Sequence, residues 1–262
     1  MRYFIEVAYK GTYFHGWQIQ PNANTVQETI EKALSTILRE KISIVGSGRT
    51  DTGVHATQQF AHFDTNIPLE AALLLRLNAL LPQGVIVKQL FKVNDEAHAR
   101  FDASSRSYFY QISQFPSPFL ENLTYQDHRH FDLTLMNQAA KKLLLYKDFE
   151  AFSKVKTDVH TFNCNITEAY WEESSTPFTQ TSLLLFHITA NRFLRGMVRA
   201  IVGTLLEIGL GRITVQRFEE IILSKNRQQA GRAVAASGLF LSEVQYPYPL
   251  QPLFQERQTE EK

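Results

Sequence analysis

The sequence predicts an α+β protein of two halves, each running β-α-β-β-α-β, the ferredoxin-like order, with sheets that meet and leave a cleft between the halves. Two observations carry this. Strand-like and helix-like apolar periodicities alternate over residues 2–93, and loosely the same order of elements recurs over residues 107–246. The chain is also long enough for it. At 262 residues, 44% hydrophobic and 20% charged, it has globular composition and bury-able core for one large domain or two ordinary ones.

In the first half, residues 2–9 alternate and predict a strand. Thr25-Val26-Gln27-Glu28 has the form of a capping box that opens a helix. Val26, Ile30, Ala33, Leu34, Ile37 and Leu38 then recur at helical spacing. The apolar run 42–45 and the alternating run 58–63 predict two strands flanking a glycine-rich loop. Residues 68–81 read as a helix ended by Pro82, and 85–93 as a strand.

In the second half, 107–113 is a strand. Residues 113–131, with Pro116, Pro118 and few periodic positions, read as a linker. A helix is expected over 132–146, with Leu135, Ala139, Leu143 and Leu144 inward. Residues 166–172 and 182–191 read as a strand pair, 194–208 as a strongly apolar helix, 214–224 as a shorter one, and 239–246 as a closing strand. The tail past Pro247 is proline-rich, then polar, and is expected to fray. The expected division is 1–105, 106–250 and a polar tail 251–262. The repeat is one of element order, not of visible sequence.

Chemistry concentrates in Gly46-Ser47-Gly48-Arg49-Thr50-Asp51-Thr52-Gly53-Val54-His55-Ala56. Glycines let a backbone bend and approach a ligand closely, and loops between strands commonly carry functional groups. An arginine beside a carboxylate favours its ionised form, so Asp51 reads as a nucleophile or base rather than an acid. The same residues equally make a loop ion pair that caps a strand turn. The glycines do not make a dinucleotide fingerprint, because Asp51 replaces its third glycine, and the Gly-Lys-Ser/Thr of a phosphate loop is absent. One carboxylate also falls short of the pair that glycoside hydrolysis usually needs.

Net charge is only +1, but residues 188–232 hold eight basic side chains against three acidic ones. Arg192, Arg195 and Arg199 fall along one border of the apolar stripe of the expected helix, as a phosphate-facing edge or as a solvated helix face. Tyr108 and Tyr110 share one face of a strand, where they stack a nucleobase or fill a core. Cys164 is the only cysteine, which excludes an internal disulfide and a cysteine metal cluster. The histidine pairs His55/His62 and His128/His130 lack further ligands, so no metal is expected. No apolar run approaches the roughly 18 residues that span a bilayer, and no signal segment opens the chain, so a cytoplasmic protein without membrane contact is expected.

Together these residues resemble the TruA-type tRNA pseudouridine synthases through nearly the whole chain. The resemblance runs from Tyr9-Lys10-Gly11, Gly16-Trp17-Gln18 and Thr25-Val26-Gln27 through Arg49-Thr50-Asp51 with Gly53-Val54-His55. It continues at Asn78-Ala79-Leu80-Leu81-Pro82, His98-Ala99-Arg100-Phe101, residues 106–110, Asp148-Phe149, Met197-Val198-Arg199 with Val202-Gly203, and Gly238-Leu239. It implies isomerisation of uridine to pseudouridine at positions 38, 39 and 40 of the tRNA anticodon stem-loop. It implies two ferredoxin-like halves sharing a continuous mixed sheet with a central active-site cleft, acting as a homodimer without cofactor or metal. It makes Asp51 the catalytic aspartate, with Arg199, Tyr108 and Arg49 beside it, and Tyr108, Arg192, Arg195, His55, Gly16, Trp17 and Gln18 as substrate contacts. Lys10 stands where an aspartate is common, and Gly196 where a larger residue often precedes the Met-Val-Arg run. A catalytically silent RNA-binding module and a uracil-releasing nucleoside hydrolase are the competing classes.

Overall fold

The computed structural model describes residues 1–154, 160–176 and 179–254. Among these are nine strands and five α-helices. In chain order they are β1 (Arg2–Tyr9), α1 (Val26–Leu38), β2 (Val45–Gly46), β3 (His55–Asp64), α2 (Ala72–Leu80), β4 (Val85–Val93) and β5 (Ser105–Ser113). There follow β6 (Tyr125–Gln126), α3 (Leu133–Lys142), β7 (Ile166–Thr176), β8 (Thr179–Ala190), α4 (Met197–Gly209), α5 (Val215–Ser224) and β9 (Leu239–Gln245). Pairing is mixed: β1 runs antiparallel to β3 and β4, and β8 to β5 and β7, while β5 and β6 are parallel. The class is α+β, as the periodicities predict. The chain divides into two compact units, Met1–Thr52 with Ala56–Ser104 and the segment from Val244, and Gly53–His55 with Ser105–Glu243.

In the first unit β1 lies between β4 and β3, and β2 pairs with β3. A central strand covered on both faces loses its alternation, and five consecutive residues of β1, Tyr3 to Val7, are buried. The buried Glu6 carboxylate is satisfied by Lys88 Nζ at 2.7 Å and Gln58 Nε2 at 3.1 Å. Thr25 caps α1 by accepting from the Glu28 N–H, as the capping box predicts, and Val26, Ile30, Ala33 and Leu34 are buried.

Three expectations for this unit need correction. The apolar run 42–45 does not form a strand of its own: only Val45 and Gly46 pair with β3. Side chains of α1 take its backbone donors instead, Ser35 Oγ from Ile42 N and Glu31 Oε1 from Ile44 N. The second helix spans 72–80 rather than 68–81, and Leu81 is extended, the backbone imposed on a residue before proline. The tail expected to fray is docked through residue 254. Tyr248 Oη donates to Asp102, Leu253 N donates to Leu90 O at 2.7 Å, and Phe254 O accepts from Gln89. The rest of the tail lies outside the described residues.

His62, on β3, is buried between the Phe4 and His98 rings, and its Nδ1 accepts the Ala99 N–H at 3.1 Å. Burial, reinforced by Arg2 and His98, lowers its pKa to about 4, against the pull of Asp64 and Asp102. An unfolded His62 titrates near its ordinary value, so between roughly pH 6.5 and 4 the unfolded chain binds the extra proton. Stability should therefore be full above that window and fall as pH drops through it, by up to about 3 kcal/mol. Urea unfolding at pH 7 and pH 4.5 should show this loss in wild type and a flatter profile in His62→Gln. Equal pH slopes in the two proteins would remove His62 from the account.

In the second unit β5 lies between β9 and β8, with β7 beyond β8 and β6 also on β5. Tyr110, Phe149, Phe152, Phe186, Phe218 and the apolar face of α4 form one core. The expected linker 113–131 belongs to this unit: it carries β6, buries Leu120 and Asp127, and pairs Asp127 with Arg129. The helix expected over 132–146 is α-helical over 133–142 and tightens into a single 3₁₀ turn at Leu143–Leu145. Its inward stripe is Met136, Ala139, Ala140 and Leu143, whereas Leu135 and Leu144 are exposed. Ala139 and Leu143 are inward as expected, while Met136 and Ala140 take the places expected of Leu135 and Leu144.

Helix α4 starts at Met197, three residues later than its apolar stripe predicts, because Gly196 takes φ +71°, a left-handed conformation outside helical geometry. This also accounts for the glycine preceding the Met-Val-Arg run: a side chain there would have open space but a strained backbone. Arg192 and Arg195 therefore lie in the turn before α4, and of the three arginines only Arg199 is on the helix.

Candidate active site

In the first unit the glycine-rich loop is tied down from several directions. Ser47 N donates to Phe60 O at 2.7 Å, Ser47 Oγ donates to Gln59 Oε1 at 3.0 Å, and Gln59 Nε2 donates to Gly48 O at 2.9 Å. Gln59 is completely buried, and its amide is satisfied by the loop. Thr50 is buried, Arg49 is exposed and Asp51 is half-buried. The hydroxyl of Thr50 lies 2.9 Å from that of Tyr9, and its carbonyl accepts the Trp17 N–H at 3.2 Å.

Gly16 and Trp17 face the loop as protein scaffold. Gly16 has φ +86°, and a Cβ on it would stand 2.6 Å from Thr50 O and 3.2 Å from the Asp51 carbonyl carbon. The Trp17 ring is 2% exposed and fills the space where a side chain on Gly46 would be. Trp17 is thus packed into the protein, while its neighbour Gln18 is exposed. The carbonyls of Gly16 and Trp17 accept from Val26 N and Gln27 N, which joins this segment to the start of α1. Lys10, the other departure from the family pattern, places its ammonium 5.8 Å from the centroid of the Tyr13 ring.

The remaining sequence-predicted residues belong to the second unit. Gly53 turns with φ +81°, Val54 enters the core, and His55 is 1% exposed, stacked on Phe240 with centroids 4.4 Å apart. His55 is therefore a packed residue rather than one presented at the surface. Tyr108 is half-buried and meets Phe193 edge-on at 5.1 Å. Arg199 Nε donates to Val234 O at 2.7 Å, and Arg199 O accepts from Val234 N at 3.2 Å. That pair fixes the plane of a half-buried guanidinium. Arg195 is exposed and Arg192 half-buried.

Burial pushes the Cys164 thiol up to about 11, so it is protonated at neutral pH and is no nucleophile. Among the described residues no group of three or more His, Cys, Asp or Glu is placed to hold a metal ion, and no helix is long and apolar enough to cross a membrane. Sequence reasoning missed Tyr9, Gln59 and Val234. Tyr9 stood in a quoted motif without a role, and Gln59 was visible only as a polar residue in an inward strand register. Nothing marks Val234, whose part is played by its backbone.

A family model described as tRNA pseudouridine synthase matches residues 5–102 and 139–247. Asp51 and Arg199 fall inside the matched stretches and Tyr108 between them. The tRNA pseudouridine synthase A of Porphyromonas gingivalis is 49% identical over 252 residues, covering 95% of this chain and 98% of its own length. That of Parabacteroides distasonis is 47% identical over 254 residues, covering 96% and 98%. That of Acetivibrio thermocellus is 40% identical over 247 residues, covering 92% and 97%. Similarity at this level over nearly the full length of each relative includes the loop that carries Asp51 and the helix that carries Arg199, and the chain belongs to the tRNA pseudouridine synthases, isomerases that convert uridine in tRNA to pseudouridine.

Proposed function

We propose that this chain isomerises uridines 38, 39 and 40 of the tRNA anticodon stem-loop, with Asp51 as the catalytic carboxylate. One observation carries the assignment: Asp51 is half-buried on a loop held by Tyr9 at the Thr50 hydroxyl, by Trp17 at the Thr50 carbonyl and by Gln59 at the Gly48 carbonyl. A carboxylate held this way is positioned for reaction rather than merely solvated. The C1′–N1 bond of uridine must break, the base must turn, and a C1′–C5 bond must form, after which the C5 proton is lost and N1 gains one. Asp51 either attacks C1′ or takes a proton from the sugar. Arg199 and Arg49 orient it, and Tyr108 packs on the base or removes the C5 proton.

The target uridine leaves its stack at a cost of a few kcal/mol, which phosphate contacts from Arg192 and Arg195 offset. Exposed Gln18 is a further tRNA contact beside the loop. The reading includes two ferredoxin-like halves around a central cleft, a homodimer, no cofactor, and action in the cytoplasm.

Incubating unmodified tRNA with the protein and mapping pseudouridine by position tests the proposal directly. Pseudouridine confined to 38–40 supports it. Modification elsewhere, or release of free uracil, refutes the site or the reaction. Arg199→Ala should lower kcat at least tenfold with little change in KM, because orientation of a carboxylate acts on the chemistry. A raised KM at unchanged kcat would make Arg199 a phosphate contact instead.

A further inference from the structure

We propose that Tyr9, Gly16 and Trp17 are positioning residues that set the backbone of Asp51 through Thr50. This rests on Asp51 being the catalytic carboxylate. Thr50 is held at its hydroxyl and its carbonyl from one side of the first unit. Its hydroxyl is 2.9 Å from Tyr9 Oη, and its carbonyl accepts the Trp17 N–H. Tyr9 and Trp17 are themselves buried, with rings 6.1 Å apart, so neither clamp arm rotates freely. Between them Gly16 brings bare backbone against Thr50, Asp51 and Thr52 at once, with sites for a Cβ 2.6, 3.2 and 3.3 Å from their atoms.

The far side of the loop is fixed independently, by Gln59 on Gly48 and Ser47. Thr50 is therefore the residue whose rotamer and carbonyl direction are set by the clamp, and Asp51 follows it by one peptide bond. A carboxylate that must meet C1′ in a near-attack geometry gains rate from such fixation, and a displacement of about 1 Å costs on the order of a hundredfold. Tyr9 and Thr50 would pack as well as Phe and Val if only their volume mattered.

The test is a double-mutant cycle of Tyr9→Phe and Thr50→Val on full-length protein, measuring kcat, KM for tRNA and melting temperature. Each single variant should lower kcat about tenfold at unchanged KM, and the double variant should be no slower than either, because the two hydroxyls act as one contact. Thr50→Ser, which keeps the hydroxyl, should restore most of the rate. If either valine or phenylalanine variant folds poorly, the Ser–Val comparison at position 50, corrected for folded fraction, decides. Wild-type kcat in Tyr9→Phe, additive losses in the double variant, or a change confined to KM or melting temperature would each overturn the clamp. Asp51→Asn run alongside separates the two failures: activity there refutes the catalytic assignment, whereas an inactive Asp51→Asn with a fully active Tyr9→Phe refutes the clamp alone.

Discussion

Asp51→Asn should abolish isomerisation, with turnover below about a thousandth of wild type, while tRNA affinity stays within about twofold. The amide keeps the size and most of the hydrogen-bonding shape of the side chain but has no negative charge, so it neither attacks C1′ nor accepts a proton. Affinity should persist because tRNA binding draws mainly on phosphate contacts spread over the protein. The loop should also persist, since Ser47, Gly48 and Thr50 anchor it. Single-turnover kinetics on unmodified tRNA, with affinity measured by filter binding, check both halves. Turnover of a few per cent would remove Asp51 from the catalytic role. Lost binding with an unchanged melting temperature would make it a tRNA contact.

Gly203→Ala should destabilise the second unit by more than about 3 kcal/mol, against the roughly 1 kcal/mol that alanine gains over glycine in a free helix. Gly203 lies in the buried stretch of α4, and a Cβ there would stand 1.9 Å from Arg232 O. The neighbouring residue is tied to the same helix. Gly231 N donates to Thr204 Oγ1 at 2.9 Å, and a Cβ on Gly231 would itself meet Thr204 N at 2.9 Å. The helix and the 231–232 backbone are in bare contact, and two glycines make that possible. For a chain of this length the melting temperature should drop on the order of ten degrees. Gly48→Ala is the control, because its Cβ would meet nothing within 4 Å and its backbone is not left-handed. Equal melting temperatures for Gly203→Ala and wild type would show that the segment shifts at little cost. Activity should fall with stability, because the same segment carries Val234, which holds the Arg199 guanidinium.

The elements with one solvated face and strong boundary residues were legible in the sequence. Helix α1 declares its start by Thr25 and its buried face by apolar spacing, and the structure agrees at both. Strand β4 matches its expected limits residue for residue. Helix α5 begins where Thr214 accepts from the Arg217 N–H. Most of the errors fall where the deciding contact lies on another element. The inward face of α3 keeps Ala139 and Leu143 but not Leu135, because α4 and β7 choose its side. The shortness of β2, which begins only at Val45, reflects donors at Ile42 and Ile44 claimed by α1 side chains. The late start of α4 comes from one backbone angle at Gly196.

The sequence alone determined the class and the family and singled out Asp51 as the candidate carboxylate, because periodicity, caps and a glycine-flanked charge pattern are local and survive in one dimension. It also supplied Trp17 and His55 as functional names, but only tertiary structure assigned their work. Trp17 fills the space over Gly46, and His55 stacks on Phe240. Their burial depends on chain segments roughly 30 and 185 residues away, which no local pattern encodes. The same holds for the hydroxyl of Tyr9 on Thr50, 41 residues apart, and for the carbonyl of Val234 on Arg199, 35 residues apart. Local chemistry named the reactive groups, and long-range packing decided which backbone atoms hold them, because hydrogen-bond geometry is set by distance in space and not along the chain.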